Sequence, residues 1–344
     1  MATCTVQLVT WNGAKYLPFL FKSLKQQTYA DWDIIITDNA STDDTVMILE
    51  KELKTLKQSS RLIKNSTNTG FAKAHNQAFN ESTSEYVALL NQDMYLDSDC
   101  FKKLIEALGQ RPAAAGVTPR LMSWNFNRSI SGKLEDGFTN IIDSLGLQVL
   151  RNRRVIERRA GESWQVGSNK GVEEVFGVSG ALPVFRRSSV EAVLLPANRV
   201  FDSLYVAYKE DVDLAFRLRA SGFCSYVVPS ALAYHDRTAK HAAKLDDLAA
   251  AIGKRTQSDY VAYHSYKNHL ATLYKNEYWQ NLILDFPWVL WYETKKFVYF
   301  LLFKPGILKA WLELFGNRRT FSKARQAITK SRKASASQLR KWFV

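Results

Sequence analysis

Cysteine is scarce. Cys4, Cys100 and Cys224 are the three in 344 residues, odd in number and far apart, which excludes a disulfide framework and a zinc cluster of closely spaced thiols and predicts a reducing, cytosolic setting. Glycine and proline are also few, 16 and 8, so a collagen-like or low-complexity chain is excluded. The opening residues, MATCTVQLVTWNGAKYL, lack a basic stretch followed by a long apolar one, and no secretory signal is expected. Nor does an uncharged apolar run approach the ~20 residues that span a bilayer. In the aromatic stretch Tyr278 to Phe315, Asp285, Glu293, Lys295, Lys296 and Lys304 interrupt it.

What is present is a globular composition, 46% hydrophobic and 23% charged, long enough for one large α/β domain with an appendage or for two modest domains. The formal charge of +14 is not spread evenly. From Lys304 to Val344 there are eleven Lys or Arg against the single Glu313, and the rest of the chain carries 36 basic against 32 acidic groups. A basic tail after an aromatic-rich segment suits an anionic membrane surface at least as well as a polyanion in solution.

The first hundred residues alternate strand and helix patterns, the mark of βαβ units on a parallel sheet. Val6 to Thr10 reads as a buried strand, Ala14 to Gln26 as a helix, and the apolar run Asp33 to Thr37 as a second strand. A helix from Thr42 to Lys57 follows, begun by Asp43 and Asp44 where the helix dipole favours carboxylates. Then come a strand at Arg61 to Lys64, a helix from Phe71 to Asn80 and a strand at Tyr86 to Leu90. Ser123 to Gly171, irregular and charged, reads as a long insertion or flexible loop. Glu173 to Phe185 regains strand character, Arg187 to Leu194 and Glu210 to Ser221 read as helices, and a last strand runs from Cys224 to Val228 before Pro229. After Thr238 the pattern is helical. The expected division is an α/β domain over 1–238 and a helical region over 239–344.

Several polar groups fall where strands hand over to helices, the edge at which open α/β sheets bind ligands. Asp38, in DNASTDD, could accept a hydrogen bond from a base N–H or a ribose hydroxyl, or it could simply help cap a polar loop. Asn68-Thr69-Gly70-Phe71-Ala72, with Asn76 one turn on, is a glycine-hinged lead into a helix that allows close backbone approach. Asp93, just after Leu89-Leu90-Asn91-Gln92, could hold a divalent cation bridging two phosphates, or could be a turn-forming Asp. Glu210, Asp211 and Asp213 crowd the first turn of a helix. Part of this complements the helix dipole, and mutual repulsion raises the proton affinity of one member, as a general base requires. His235 closes the set, a metal ligand or an ordinary buried imidazole.

The order of these strings is more specific than any one of them. VTWNGAKYL through DNASTDDT, then NTGFAKAHNQA, LLNQD, GVSGALPVFRRSSVEAV, YKEDVDLAFRLRASGF and VVPSALAYH together resemble the inverting family 2 glycosyltransferases of GT-A fold, over residues 3 to about 238. Within that family the chain looks similar to bacterial transferases that add rhamnose or similar sugars to cell-surface polysaccharides. The resemblance implies a nucleotide pocket at Thr10, Asn12 and Asp38, with Gly70, Phe71, Asn76 and Asn91 beside it. It also implies Mg²⁺ or Mn²⁺ at Asp93 and His235, and a base at Asp211 with Glu210 beside it. Asp213 is expected to bond nearby backbone or Arg217. Two departures stand out: Asn91 replaces the first Asp of the fuller Asp-x-Asp motif, and Gln92 stands where related sequences often have Pro, which puts strict metal dependence in doubt.

The expected protein is therefore a membrane-associated inverting hexosyltransferase of the cytoplasmic side, peripheral at the inner face of the plasma membrane. Its donor is a dTDP- or UDP-linked sugar such as dTDP-rhamnose or a UDP-hexose, and its acceptor a glycan or polyprenyl-diphosphate-linked glycan. The aromatic segment reads as an interfacial helix facing anionic lipid, or as a packing face, including that of a homodimer. Two rivals are a nucleotidyltransferase, for which VTWNGAKYL lacks the glycine-rich phosphate loop, and a nucleic-acid-binding module served by the basic tail. Nucleic acid is not the expected partner.

Overall fold

A computed structural model describes residues 2–165, 167, 171–237 and 258–344. Four strands, β1 (Cys4–Thr10), β2 (Trp32–Asp38), β3 (Ser60–Lys64) and β4 (Tyr86–Asn91), lie parallel in the order β4-β1-β2-β3. The sheet continues past β4 through β11 (Val184–Arg186), β6 (Ala114–Trp124), β12 (Cys224–His235) and β10 (Glu173–Val175). Here β11 runs antiparallel to both neighbours, while β6 and β12 are parallel to each other. β5 (Met94–Leu96) pairs with β12, and β7 (Phe138–Ser144) with β6.

The apolar runs of the central strands follow from burial on both faces. Along β4, Ala88 and Leu90 point into a core closed by α1 (Leu17–Lys25), α2 (Thr45–Leu53) and α4 (Cys100–Gly109). Val87 and Leu89 face the opposite core, closed by α3 (Phe71–Asn80), α6 (Arg187–Glu191) and α7 (Glu210–Ala220). One strand with period-2 side chains thus serves two layers.

The segment expected as a long insertion or flexible loop carries regular elements among its described residues. It holds α5 (Phe126–Ser131), β7, and a two-stranded hairpin of β8 (Leu147–Val149) and β9 (Val155–Glu157). These strands are three to seven residues long, with a charge in β7 and in β9, so no periodic signal survives in them. β12 also runs seven residues beyond its expected end. A register shift against β6 between Val228 and Leu232 absorbs Pro229 without ending the strand.

The described part of the C-terminal region is helical: α8 (Asp259–Asn276), α9 (Trp279–Leu284), α10 (Phe286–Phe303), α11 (Lys309–Gly316), α12 (Arg318–Ser331) and α13 (Ala336–Arg340). The expected boundary at 238/239 lies outside the described residues. Tyr278, Leu339 and Phe343 share a buried cluster with Val212 and Phe216 of α7 and Val149 of β8. The chain ends there too, with Val344 donating its N–H to the Val149 carbonyl at 3.0 Å.

Candidate active site

Parallel register delivers three strand ends to one edge. Thr10 lies opposite Asp38, and Val9 opposite Asn91. Beyond β1 the chain turns through Asn12, at φ 48, and is fastened to the loop after β2. The Asn12 N–H donates to Ser41 Oγ (2.9 Å), Asn12 Oδ1 accepts from the Thr42 N–H (2.8 Å), and the Gly13 N–H donates to Thr45 Oγ1 (2.8 Å). Gln92 braces the same turn from β4. Its Oε1 accepts from Thr10 Oγ1 (2.6 Å) and the Trp11 N–H (3.0 Å). Asp38 is buried at 2% exposure. One of its oxygens accepts from the Ser41 N–H at 3.1 Å, and Oδ1 has no partner among the described residues. A buried carboxylate oxygen left unpaired is costly, and a donor N–H or O–H from a ligand would relieve it.

Asn39 ties this edge to the lead into α3, accepting from Asn65, from the Thr69 N–H and from the Thr69 hydroxyl. Gly70 has φ 82, and a Cβ there would stand 2.5 Å from the Val206 carbonyl oxygen. The close approach it permits in this structure is therefore to Val206. Phe71 packs on His75 and Phe201. Asn76, expected beside a nucleotide, instead spends both ends of its amide on the Phe201 backbone, at 2.9 Å each.

At the other end of the edge, His235 is buried between two carboxylates. Its Nδ1 lies 2.9 Å from Asp143 Oδ2 and its Nε2 3.3 Å from Asp93 Oδ1. Burial disfavours charge on the imidazole, but Asp93 and Asp143 outweigh it and push its pKa up to about 9. Burial also opposes the charge on Asp143, yet His235 and Arg237 hold that carboxyl well below the usual range. Asp93 and His235 could hold a divalent cation shared with a substrate once the cation displaces the Nε2 proton that now faces Asp93. The pair offers one carboxylate oxygen and one ring nitrogen, with the ring held by an outer carboxylate as metal-bound histidines are. Among the described residues no three acidic, thiol or imidazole side chains gather as a closed cation cage, so further ligands would come from diphosphate oxygens and water.

From Asp143 a line of hydrogen bonds leads to the start of α7. Arg237 bridges Asp143 (2.9 Å) and Glu157 (3.0 Å). Glu157 also accepts from the hydroxyls of Ser144 (2.5 Å) and Ser179 (3.2 Å). The next residue, Gly180, donates its N–H to Asp211 Oδ2 at 3.0 Å, and the one after, Ala181, accepts from the Asn91 N–H at 3.0 Å. Asp211 thereby stands beside the end of β4.

The three acids of α7 are sorted by their surroundings. Burial raises the Glu210 carboxyl to about 8, and Oε1 has no partner among the described residues. Desolvation and the charge of Glu157 raise Asp211, opposed by the Gly180 N–H and Lys209. Asp213 pays the same burial cost, but Lys275 and Arg217 lower it, through Lys275 Nζ at 3.0 Å and Arg217 Nε at 3.1 Å. Asp213 is thus a structural anion, partly through Arg217 as expected. Sequence reasoning missed Gln92, Asp143, Glu157, Gly180 and Arg237. A single signal was available, the lone acid in the apolar string Ile141-Ile142-Asp143.

A family model described as glycosyl transferase family 2 matches residues 5–193. The putative teichuronic acid biosynthesis glycosyltransferase TuaG of Bacillus subtilis is 29% identical over 109 residues, covering 32% of this chain and 43% of that protein. The N-acetylglucosaminyl-diphospho-decaprenol L-rhamnosyltransferase of Mycobacterium tuberculosis is 24% identical over 248 residues, 67% of this chain and 75% of that one. The matched stretch spans less than half the length of several curated relatives. Among solved structures, the mannosyltransferase PcManGT from Pyrobaculum calidifontis, in complex with GDP-Man and Mn²⁺, superposes with a TM-score of 0.52 at 16% identity, covering 96% of this chain and 86% of that one.

Proposed function

We propose a reaction on the premise that this chain belongs to glycosyl transferase family 2 and is a glycosyltransferase: it moves a hexosyl unit from a nucleotide sugar to a hydroxyl of a glycan, or of a lipid-linked glycan, by a single in-line displacement that inverts the anomeric centre. The observation that carries this reading is the Asp211 carboxylate at the start of α7, tied through Gly180 and Ala181 to the end of β4, where Asp93 and His235 stand. Asp211, with its proton affinity raised, takes the proton of the attacking hydroxyl. Glu210, protonated at neutral pH, leaves Asp211 free of a second negative charge beside it. Thr10, Asn12 and Asp38 bind the nucleoside, with Asn91 and Phe71 at its margins. A Mg²⁺ or Mn²⁺ ion held by Asp93 and His235 would supply positive charge to the departing diphosphate.

The donor and acceptor follow by analogy. The match to an N-acetylglucosaminyl-diphospho-decaprenol L-rhamnosyltransferase supports a rhamnosyl donor and a polyprenyl-diphosphate-linked glycan acceptor, and dTDP-rhamnose or a UDP-hexose are the donors to try first. Incubation of the purified chain with a panel of nucleotide sugars and Mn²⁺, read as nucleoside diphosphate release, tests the donor. Release from one or two members supports the reading, and no release from any of them opposes it.

The outer helices support a site at the membrane surface. Among the described residues no helix is long and apolar enough to cross a membrane. Yet Trp288, Leu290, Trp291 and Leu302 of α10, with Leu312 and Phe315 of α11, are all exposed, Leu312 at 75%. The basic stretch that follows adds positive charge suited to anionic lipid, which supports an anionic bilayer at the inner side of the plasma membrane as the occupant of this face.

A further inference from the structure

The eight residues leading from Asp202 to Lys209 join the two halves of the site. At one end the Val206 carbonyl seats against Gly70 and accepts from the Ala72 N–H at 3.4 Å. At the other, the chain enters α7 with Glu210 and Asp211. This loop is strained. Val206, Tyr208 and Lys209 have φ of 61, 72 and 70, a region that side chains rarely adopt, a β-branched valine least of all. Ala207 N closes a three-residue turn onto the Tyr205 carbonyl at 2.6 Å, with Val206 at the centre in the rare positive-φ form.

Such a conformation persists only where its surroundings impose it, and here one side chain meets most of the backbone demand. Asn268 of α8 is completely buried. Its Nδ2 shares its two hydrogens among the carbonyls of Tyr205 (2.9 Å), Ala207 (2.9 Å) and Tyr208 (2.7 Å). Neighbours on the same helix face reinforce the grip. Lys267 Nζ donates to the Leu204 carbonyl at 2.7 Å, Thr272 Oγ1 meets Tyr205 Oη at 2.7 Å, and Lys275 Nζ donates to Asp202 Oδ2 at 2.8 Å. A helix with a buried polar face at this spacing is unusual, because polar residues cost free energy to bury unless each is bonded. On α8 the donor groups find partners in the loop carbonyls and acids, while Asn268 Oδ1 and Asn276 Oδ1 have none among the described residues.

We infer that Asn268 is a positioning residue for transfer: by holding the strained 205–208 backbone it fixes the start of α7, and with it Asp211, relative to the Gly70 side of the donor site. This rests on the assignment of Asp211 as base. Asn268 touches no reacting group. Its removal changes the geometry between base and donor, and displacements of about 1 Å at that junction are worth up to ~10²-fold in rate.

The test compares the full chain with Asn268→Ala, Asn268→Asp and Asp211→Asn, measuring kcat and donor KM for diphosphate release over pH 5 to 9, with far-UV circular dichroism and melting curves. Asn268→Ala removes both donated hydrogens, and Asn268→Asp keeps the shape but turns a carboxylate toward three carbonyls. The expected result is folded protein with kcat lowered on the order of 10-fold to 10²-fold, KM changed less than 3-fold, and a displaced acidic limb of the pH profile. Folded Asn268→Ala with unchanged kcat and pH profile would overturn the inference. If both Asn268 variants fail to fold, Thr272→Val, which removes only the Tyr205 bond, decides it: a smaller fall in kcat with unshifted KM supports the clamp, and unchanged kcat rejects it. Asp211→Asn separates the two assignments. If it is active, the base assignment fails, whereas an inactive Asp211→Asn beside a fully active Asn268→Ala removes the clamp alone.

Discussion

Lys275 and Asp213 form an ion pair of 3.0 Å, both essentially inaccessible to solvent, that joins α8 to the helix bearing Asp211. Lys275 also reaches Asp202 at 2.8 Å, and Asn276 donates to Asp213 at 2.8 Å. Breaking one partner of a buried pair leaves an uncompensated charge and costs about 3–5 kcal/mol. Lys275→Met is therefore expected to lower the unfolding free energy obtained from urea titration by an amount of that order, and a change under 1 kcal/mol would show that water reaches the pair.

The same contacts bear on removal of the C-terminal helices. Arg153, in the turn of the β8–β9 hairpin, is buried and bonds Glu277 and Asp285. A chain cut after Lys275 loses both acids and Asn276, and strips Val149 and Phe216 of their cover. It is expected to be insoluble or to lack a cooperative melt, and a folded, donor-hydrolysing truncation would show instead that residues up to Lys275 stand alone.

Asp211→Asn keeps the shape and the Gly180 contact and removes proton acceptance. Transfer should fall ~10²-fold or more while donor affinity, measured by calorimetry, stays within a few-fold. Near-normal turnover would overturn the assignment of Asp211 as base.

Glu210 gives a stability signature of definite sign. Its carboxyl is neutral in the folded chain up to about pH 8 but ionises near pH 4.5 when unfolded, so the folded state binds the extra proton between those values. Stability attributable to this group is thus greatest below about pH 4.5, falls as pH rises toward 8, at a slope of up to ~1.4 kcal/mol per pH unit, and is flat above. Glu210→Gln should remove that fall. Urea midpoints of the two proteins at pH 5.5, 6.5, 7.5 and 8.5 check it, and a difference independent of pH contradicts it.

For the cation, Asp93→Ala should abolish Mn²⁺-dependent binding of a nucleoside diphosphate in titration calorimetry. His235→Ala should weaken it less, since imidazole adds a ligand without negative charge. Equal binding by wild type with and without chelator would mean that basic side chains alone hold the diphosphate.

For the outer helices, the full chain should co-sediment with anionic vesicles, bind neutral ones more weakly, and release as salt rises. Trp291→Glu with Leu302→Glu should abolish the binding. A chain that ignores anionic vesicles but is dimeric until those substitutions are made would assign the face to a second copy.

Much of the donor half was legible because its signals are local. β1, β2 and β4 are apolar runs too short for helices, and α3 was bounded correctly by Gly70 at one end and by its apolar spacing along the rest. The order of strand ends then placed Thr10, Asp38 and Asp93 on one edge. What was hidden depends on distant pairing. Glu157 sits in a three-residue strand with no pattern of its own, and Arg237 acquires its role from Asp143, 94 residues away. The polar face of α8 reads as solvent-exposed in a periodicity argument, and its partners on the 202–209 loop, on Asp213 and on Glu313 explain its burial. Pro229 reads as a strand end because its missing N–H ends most ladders, but a register shift accommodates it.

The central claim is a single displacement with Asp211 as base, and the stereochemistry of the first product tests it most directly. Proton NMR of the transfer product, or of the sugar first released to water from the accepted donor, reads the anomeric configuration before mutarotation. The account predicts the configuration opposite to the donor's, with the signal lost in Asp211→Asn. Retention of the donor's configuration would contradict it.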